Sequence, residues 1–175
     1  METKFTKPLA DVAVTADGTM IQGYASLWGA EDQGGDIVER GAYGASLCRL
    51  VARDETVKML WQHDPAQPIG LWDEVREDAR GLWVKGRILR DVERGREAAA
   101  LVRAGAIDGL SIGYRTLRAT KDAQGRRHLH ELELWEVSLV TFPMLRDARL
   151  AQKGDAALLH ELAAAARDAR ARLRT

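Results

Sequence analysis

The chain has 175 residues, with 26 basic and 26 acidic side chains, a hydrophobic share of 46% and one cysteine. This length predicts one domain with a short appendage, and the net charge of zero excludes the basic surface of a general nucleic-acid-binding protein. Cys48 has no partner, which favours a reducing compartment. Because the sequence shows neither a signal peptide nor the ~18 apolar residues of a membrane span, we expect a soluble, cytoplasmic protein with no membrane partner.

Hydrophobic periodicity predicts an α+β protein in which strands predominate. The predicted strands cover 20–28, 57–61, 69–77, 82–90, 110–119 and 128–142, and the predicted helices cover 41–53, 91–103 and 155–174. A loop is expected at 29–36, and Pro65 indicates a turn at 62–65. We predict one folded domain over 1–150, in which 1–19 form a loose strand or arm, and a helical tail rich in alanine and arginine over 151–175.

A first candidate site is the string Gly109-Leu110-Ser111-Ile112-Gly113, which satisfies the G-x-S-x-G pattern. In α/β-hydrolases this pattern forms a strained elbow between a strand and a helix. Here the following residues are strand-like, and too little chain remains for the rest of such a sheet. Two interpretations stay open: a position where a substrate backbone approaches closely, or a tight strand position where only small residues fit.

The second candidate is His63, which follows directly after the predicted strand 57–61. An imidazole at the rim of a core can act as a general base near neutral pH, but it can equally be a satisfied histidine that caps the turn. A zinc site formed by His63 with His128 and His130 is conceivable, because residues i and i+2 share a strand face. No cysteine pair or H-E-x-x-H motif supports it, so we predict no metal and no cofactor.

The third candidate is Glu136, which shares its parity along the strand 128–142 with Leu132 and Leu134. A carboxylate in apolar surroundings is costly unless it is paired. We therefore predict a partner for Glu136, either an arginine or a histidine. The neighbouring Ser138 and Thr141 are interpreted as structural residues rather than nucleophiles.

Short strings spread over roughly residues 20–150 together resemble those of a known protein family, although none of them is specific alone. They are GYAS at 23–26, GGDIV at 34–38, GAY at 41–43, LWQHD at 60–64, PIG at 68–70, GLWV at 81–84, GLSIGY at 109–114 and LWEVSLVTFP at 134–143. In this order and spacing the chain resembles the prohead (capsid maturation) proteases of HK97-like tailed phages. It departs from that family at Met144-Leu145, where a small residue and an asparagine commonly follow the proline.

The resemblance implies a serine endopeptidase whose protease domain spans residues 1–150. Its fold would be a mostly antiparallel β-barrel surrounded by helices, similar to the herpesvirus maturation proteases. Matched residue by residue, Ser111 corresponds to the nucleophile of the family, His63 to its general base and Glu136 to the third member of the triad. No cofactor or metal is implied.

The resemblance also implies substrates and a location. The substrates would be scaffolding segments of the major capsid protein precursor and the chain itself, cleaved inside the immature prohead in the host cytoplasm. Self-association is a further expectation. Two other functions stay open: a catalytically silent scaffold or capsid-interaction protein, and an esterase-type acyl hydrolase suggested by G-x-S-x-G. The sequence does not distinguish an infectious phage from a prophage or a gene-transfer particle.

Overall fold

Seven strands and two helices make up residues 18–150, the part of the chain that this computed structural model describes. In chain order they are β1 (Met20–Leu27), β2 (Asp36–Val38), α1 (Gly44–Ala52), β3 (Lys58–Trp61), β4 (Asp64–Glu77), β5 (Gly81–Ile88), α2 (Glu93–Arg103), β6 (Gly109–Lys121) and β7 (Arg127–Val140). Neither of these two helices is long and apolar enough to cross a membrane. The arm and the tail helix fall largely outside the described residues.

The strands form one curled sheet in which most neighbours are antiparallel. The hydrogen-bonded order is β1-β5-β4-β3-β7-β2, and β6 pairs with β7 as well. Because β6 follows β7 along nearly its whole length, β2 and β3 share the opposite edge of β7, and both are parallel to it. Short bridges from Arg149 to Gly109 of β6 and from Leu150 to Gly23 of β1 bring the two ends of the sheet together.

The core lies inside this curl because each strand directs alternate side chains inward. The buried residues of the central strands are large aliphatic ones: Ile21, Ile69, Leu82, Val84, Leu110, Leu132, Leu134, Val137 and Leu139. Helix α2 packs against β4 and β5 through its small buried residues Ala98 and Ala99, which allow a close approach. Helix α1 packs against β7. Burial of each large aliphatic side chain contributes about 1.5–3 kcal/mol to the stability of the fold, so packing on both faces stabilises β7.

The fold class predicted from the sequence is confirmed: the chain is strand-rich, mostly antiparallel and curled, with helices outside the sheet. Two details differ. Strand β4 begins at Asp64 rather than at residue 69, since Pro65 and Pro68 are tolerated in its first half. Strand β2 was not predicted, because three residues are too short to show a periodicity.

Candidate active site

The candidate site is built on β7, between β6 and β3. In the antiparallel pair with β6, Ser138 lies opposite Ser111 and Glu136 lies opposite Gly113. In the parallel pair with β3, Ser138 lies level with Leu60. Residues directly opposite each other in an antiparallel pair project from the same face. The pairing register therefore gathers Ser111, Glu136 and Ser138 on one face of the sheet.

His63 reaches this face from the two-residue turn between β3 and β4. Trp61 pairs with Asp64 across the turn, and the two residues between them, Gln62 and His63, have φ angles of +52° and +62°. Hairpins of type I′ require positive φ at both positions, which favours asparagine and glycine. For glutamine and histidine this backbone is unfavourable, so contacts outside the turn must hold it.

Four hydrogen bonds fasten this turn to β7 and the residue after it. The backbone N–H of Gln62 donates to the carbonyl of Leu139 over 3.0 Å. The side-chain amide of Gln62 donates to the hydroxyl of Thr141 over 2.8 Å and accepts the Thr141 N–H over 3.3 Å. The backbone N–H of His63 donates to the hydroxyl of Ser138 over 3.1 Å. The position of the imidazole is thus fixed relative to β7.

The imidazole of His63 connects the serine to the carboxylate. Its Nε2 lies 2.9 Å from Ser111 Oγ, and its Nδ1 lies 2.6 Å from Glu136 Oε1. An ionised carboxylate only accepts hydrogen bonds, so Nδ1 carries the proton and Nε2 is free to accept the Ser111 O–H. The tautomer is assigned from this network. Ser138 completes it by donating its O–H to Glu136 Oε2 over 2.6 Å.

Burial differs across the site in a way that suits proton transfer. Ser111 is 5% exposed and Glu136 is 7% exposed, whereas the side chain of His63 is 41% exposed. The hydrogen bond that His63 donates to Glu136 raises the pKa of His63, and partial burial opposes this rise. Glu136 therefore favours the protonated imidazole, while the accessible edge of the ring faces solvent and any bound ligand.

A cavity of about 130 Å³ has Ser111 among its lining residues, together with its neighbours Leu110 and Ile112 on β6. Apolar side chains from three parts of the chain line much of it, among them Ala25, Ile112 and Met144. The buried carboxylate of Asp36 also lines it, but this carboxylate is paired with the guanidinium of Arg127. The hydrogen bond from Arg127 keeps the pKa of Asp36 below its usual value. Asp32 also lines the cavity, so its lining combines apolar side chains with two acidic residues.

The two glycines of the G-x-S-x-G pattern serve packing. A Cβ at Gly113 would overlap the carboxylate of Glu136, and a Cβ at Gly109 would lie 2.6 Å from the carbonyl oxygen of Val140. The pattern lies inside β6, and this strand continues to Lys121, so strand rather than helix follows the serine directly. Both glycines thus occupy tight strand positions where only small residues fit, which was one of the two interpretations from the sequence. The pattern is not a hydrolase elbow.

His128 and His130 lie apart from this site. His128 contacts Glu39 through Nδ1 at 2.7 Å and Asp122 through Nε2 at 3.3 Å. His130 contacts the hydroxyl of Thr120. The zinc site that would combine both with His63 is not formed, and residues 18–150 contain no group of three ligating side chains placed to hold a metal ion.

The structure brings the three predicted residues, Ser111, His63 and Glu136, together, and the predicted partner of Glu136 is the histidine rather than an arginine. Sequence reasoning missed the part played by Ser138, which was interpreted as structural only. A signal was present, because Ser138 shares the parity of Glu136 two residues earlier.

Several known proteins are similar to this chain. A family model described as caudovirus prohead serine protease matches residues 7–160. The prohead protease of Enterobacteria phage HK97 is 30% identical over 146 residues, which are 81% of this chain and 64% of that protein. The chain thus spans just under two thirds of the length of this relative.

A solved structure shows the same fold. The capsid assembly protease of bacteriophage T4 superposes with a TM-score of 0.59 at 18% identity, covering 69% of this chain and 80% of that one. The protease of varicella-zoster virus superposes with a TM-score of 0.46 at 12% identity, covering 75% of this chain and 62% of that one.

Proposed function

Because this chain belongs to the caudovirus prohead serine protease family, we propose that it is a serine endopeptidase of capsid maturation. Ser111 is the nucleophile, His63 the general base and Glu136 the third member of the triad. The observation that carries this proposal is the unbroken hydrogen-bonded path from Ser111 Oγ through both nitrogens of His63 to the Glu136 carboxylate. This is the arrangement that activates a serine for acyl transfer.

In the first half of the reaction, Ser111 Oγ attacks the carbonyl carbon of the scissile peptide bond. A serine hydroxyl is a weak nucleophile until a base within hydrogen-bond reach removes its proton. His63 Nε2 accepts that proton and passes it to the amine that leaves. Glu136 holds the proton on Nδ1 and stabilises the imidazolium while it exists.

In the second half, water takes the place of the amine. His63 removes a proton from this water, which attacks the acyl-Ser111 carbonyl, and the proton returns to Ser111 Oγ as the acid product leaves. Ser111 is among the residues that line the cavity of about 130 Å³, which supports a side-chain subsite for a substrate residue next to the scissile bond.

The substrates in this proposal are the scaffolding segments of the major capsid protein precursor, and the chain itself. The site of action is the interior of the immature prohead in the host cytoplasm. Family membership supports a capsid protein as substrate.

Co-expression with the major capsid protein precursor of the same particle tests the proposal. We expect discrete cleavage products, identified by mass spectrometry, which disappear when Ser111→Ala is co-expressed instead. A fluorophosphonate probe should label the wild-type chain and not Ser111→Ala. Labelling without cleavage of the precursor would favour an esterase-type hydrolase. Binding of the precursor with neither labelling nor cleavage would favour a silent scaffold protein.

A further inference from the structure

We propose that Ser138 is a positioning residue that fixes Glu136 and the His63 turn with a single hydroxyl. Its O–H donates to Glu136 Oε2 over 2.6 Å, and its oxygen accepts the backbone N–H of His63 over 3.1 Å. The inference rests on the proposed function, because it assigns Ser138 to the same site.

The direction of each hydrogen bond follows from the chemistry of the groups. Ionised Glu136 can only accept, so the one O–H proton of Ser138 is committed to its carboxylate. The lone pairs of Ser138 remain, and the backbone N–H of His63 can only donate to them. The hydroxyl therefore links the backbone of the turn to the carboxylate of Glu136, two groups that do not contact each other directly.

Both partners of Ser138 need such support. His63 has a φ angle of +62°, which is unfavourable for a residue with a side chain and persists only where the surroundings impose it. Glu136 has two rotatable bonds beyond its Cβ, and its carboxylate lies in the space left by the missing side chain of Gly113. With Oε1 bound to the imidazole, the bond from Ser138 to Oε2 fixes the rotation of the carboxylate.

The position of Ser138 in the sheet explains why a short hydroxyl suffices. It lies opposite Ser111 on β6 and level with Leu60, three residues before His63, on β3. It is 0% exposed, so water does not replace its hydrogen bonds if they are lost. One hydroxyl at this register position is adjacent to all parts of the site.

Ser46 provides a matched control within the same chain. It is 2% exposed, and its hydroxyl accepts a backbone N–H, that of Leu134 on β7, over 2.9 Å. It does not contact the carboxylate or the histidine. Ser46→Ala therefore removes a buried hydroxyl and the hydrogen bond that this hydroxyl accepts from a backbone N–H. Ser138→Ala does the same, but only Ser138 belongs to the site.

The test compares Ser138→Ala and Ser46→Ala with the wild-type chain by two measurements. The first is the rate of labelling by a fluorophosphonate probe. We expect Ser138→Ala to react up to roughly 100-fold more slowly, the scale on which small displacements of catalytic groups act. Ser46→Ala should react at the wild-type rate.

The second measurement is the proton resonance of His63 Nδ1–H, which a short bond to a carboxylate moves far downfield. It should be visible in the wild type and in Ser46→Ala, and it should be broadened or lost in Ser138→Ala while the thermal midpoint still reports a folded chain. Where Ser138→Ala does not fold, Ser138→Cys fills the same space with a much weaker donor and is expected to show the same losses.

The outcomes separate the two proposals. A folded Ser138→Ala with wild-type labelling and an unchanged Nδ1–H resonance would overturn the role of Ser138 and leave the serine protease intact. Equal losses in Ser46→Ala would overturn it too, because the effect would then belong to any buried hydroxyl that accepts a backbone N–H, including that of Ser46 on α1. A wild-type chain that is never labelled would overturn the proposed function, and the resonance would still decide whether Ser138 holds His63 and Glu136.

Discussion

Two histidines of this molecule bind a glutamate through Nδ1 but differ in the group that their Nε2 contacts. His63 and His128 each place Nδ1 against a glutamate oxygen, at 2.6 Å for Glu136 and 2.7 Å for Glu39. The Nε2 of His63 then meets the hydroxyl of Ser111, whereas the Nε2 of His128 meets the carboxylate of Asp122. The comparison shows that a carboxylate on Nδ1 does not by itself make a histidine a base.

The second partner decides the chemistry. Both nitrogens of His128 face acceptors, so the hydrogen bonds that it donates to Glu39 and Asp122 raise its pKa and favour its protonated form, a structural cation. His63 has one acceptor and one hydroxyl as partners, so under the proposed function its neutral form accepts a proton from Ser111. Glu136 then stabilises the cation that results.

The largest expected effect comes from removing either half of the serine–histidine pair. Ser111→Ala and His63→Ala should each lower the rate of precursor cleavage by roughly 10⁴–10⁶, because the two groups act as one unit. The double variant should be little slower than either single one. His128→Ala is the control and should cleave at nearly the wild-type rate. Losses that multiply in the double variant would mean that the two residues act independently.

The next effect concerns the carboxylates on Nδ1. Glu136→Gln should lower turnover by at most about 10⁴, because the amide lets His63 adopt the wrong tautomer. Glu39→Gln makes the same change beside His128 and should leave turnover unchanged.

The pH profile gives this prediction its sign. Catalysis needs neutral His63, so the rate rises with pH through the raised pKa of that residue. Removing the charge of Glu136 removes the main cause of the rise, so the midpoint of the profile in Glu136→Gln should move to lower pH. A midpoint that stays in place or moves to higher pH would contradict the role of Glu136, whatever the maximal rate.

A smaller effect is expected from Gly113→Ala. The new methyl group would overlap the Glu136 carboxylate, so this carboxylate must move away from His63. We expect roughly a 10- to 100-fold lower cleavage rate, on the scale of small misplacements in active sites. In a Glu136→Ala background the same substitution should cost nothing further. An equal loss in both backgrounds would show that Gly113 acts through β6 alone.

The smallest effect is on stability and concerns His128. Its folded-state pKa is raised above the unfolded value of about 6.5, so its ion pairs stabilise the fold fully below that pH and lose this contribution as pH rises through the folded-state pKa. His128→Gln should therefore lower the thermal midpoint most in acid and least in alkaline buffer, with turnover unchanged. A difference in midpoint that grows with pH would contradict the structural-cation assignment.

Much of the fold and the core of the candidate site could be predicted from the sequence. The parity of Glu136 with two leucines placed its carboxylate on a buried face, and the resemblance to prohead proteases brought Ser111 and His63 together across 48 residues of chain. A local pattern suffices for the inference about Glu136, because burial and strand alternation are local. The inference about Ser111 and His63 came from the resemblance.

What the sequence did not predict depends on pairing between distant strands. The parallel register of β3 on β7 brings Ser138 next to the His63 backbone, and no local pattern specifies that register. The positive φ of His63 was also missed, because Pro65 indicated a turn at 62–65 without specifying the φ angles within it. The two-residue turn, with its positive φ angles, places the imidazole next to Ser111.

The most direct test of the central claim is to map the fluorophosphonate adduct by mass spectrometry in the wild-type chain and in His63→Ala. If His63 activates Ser111 in the way that the two hydrogen bonds of its imidazole indicate, the wild-type chain carries one adduct, on Ser111, and His63→Ala carries almost none. An adduct on another serine, or an undiminished adduct on Ser111 in His63→Ala, would contradict the account.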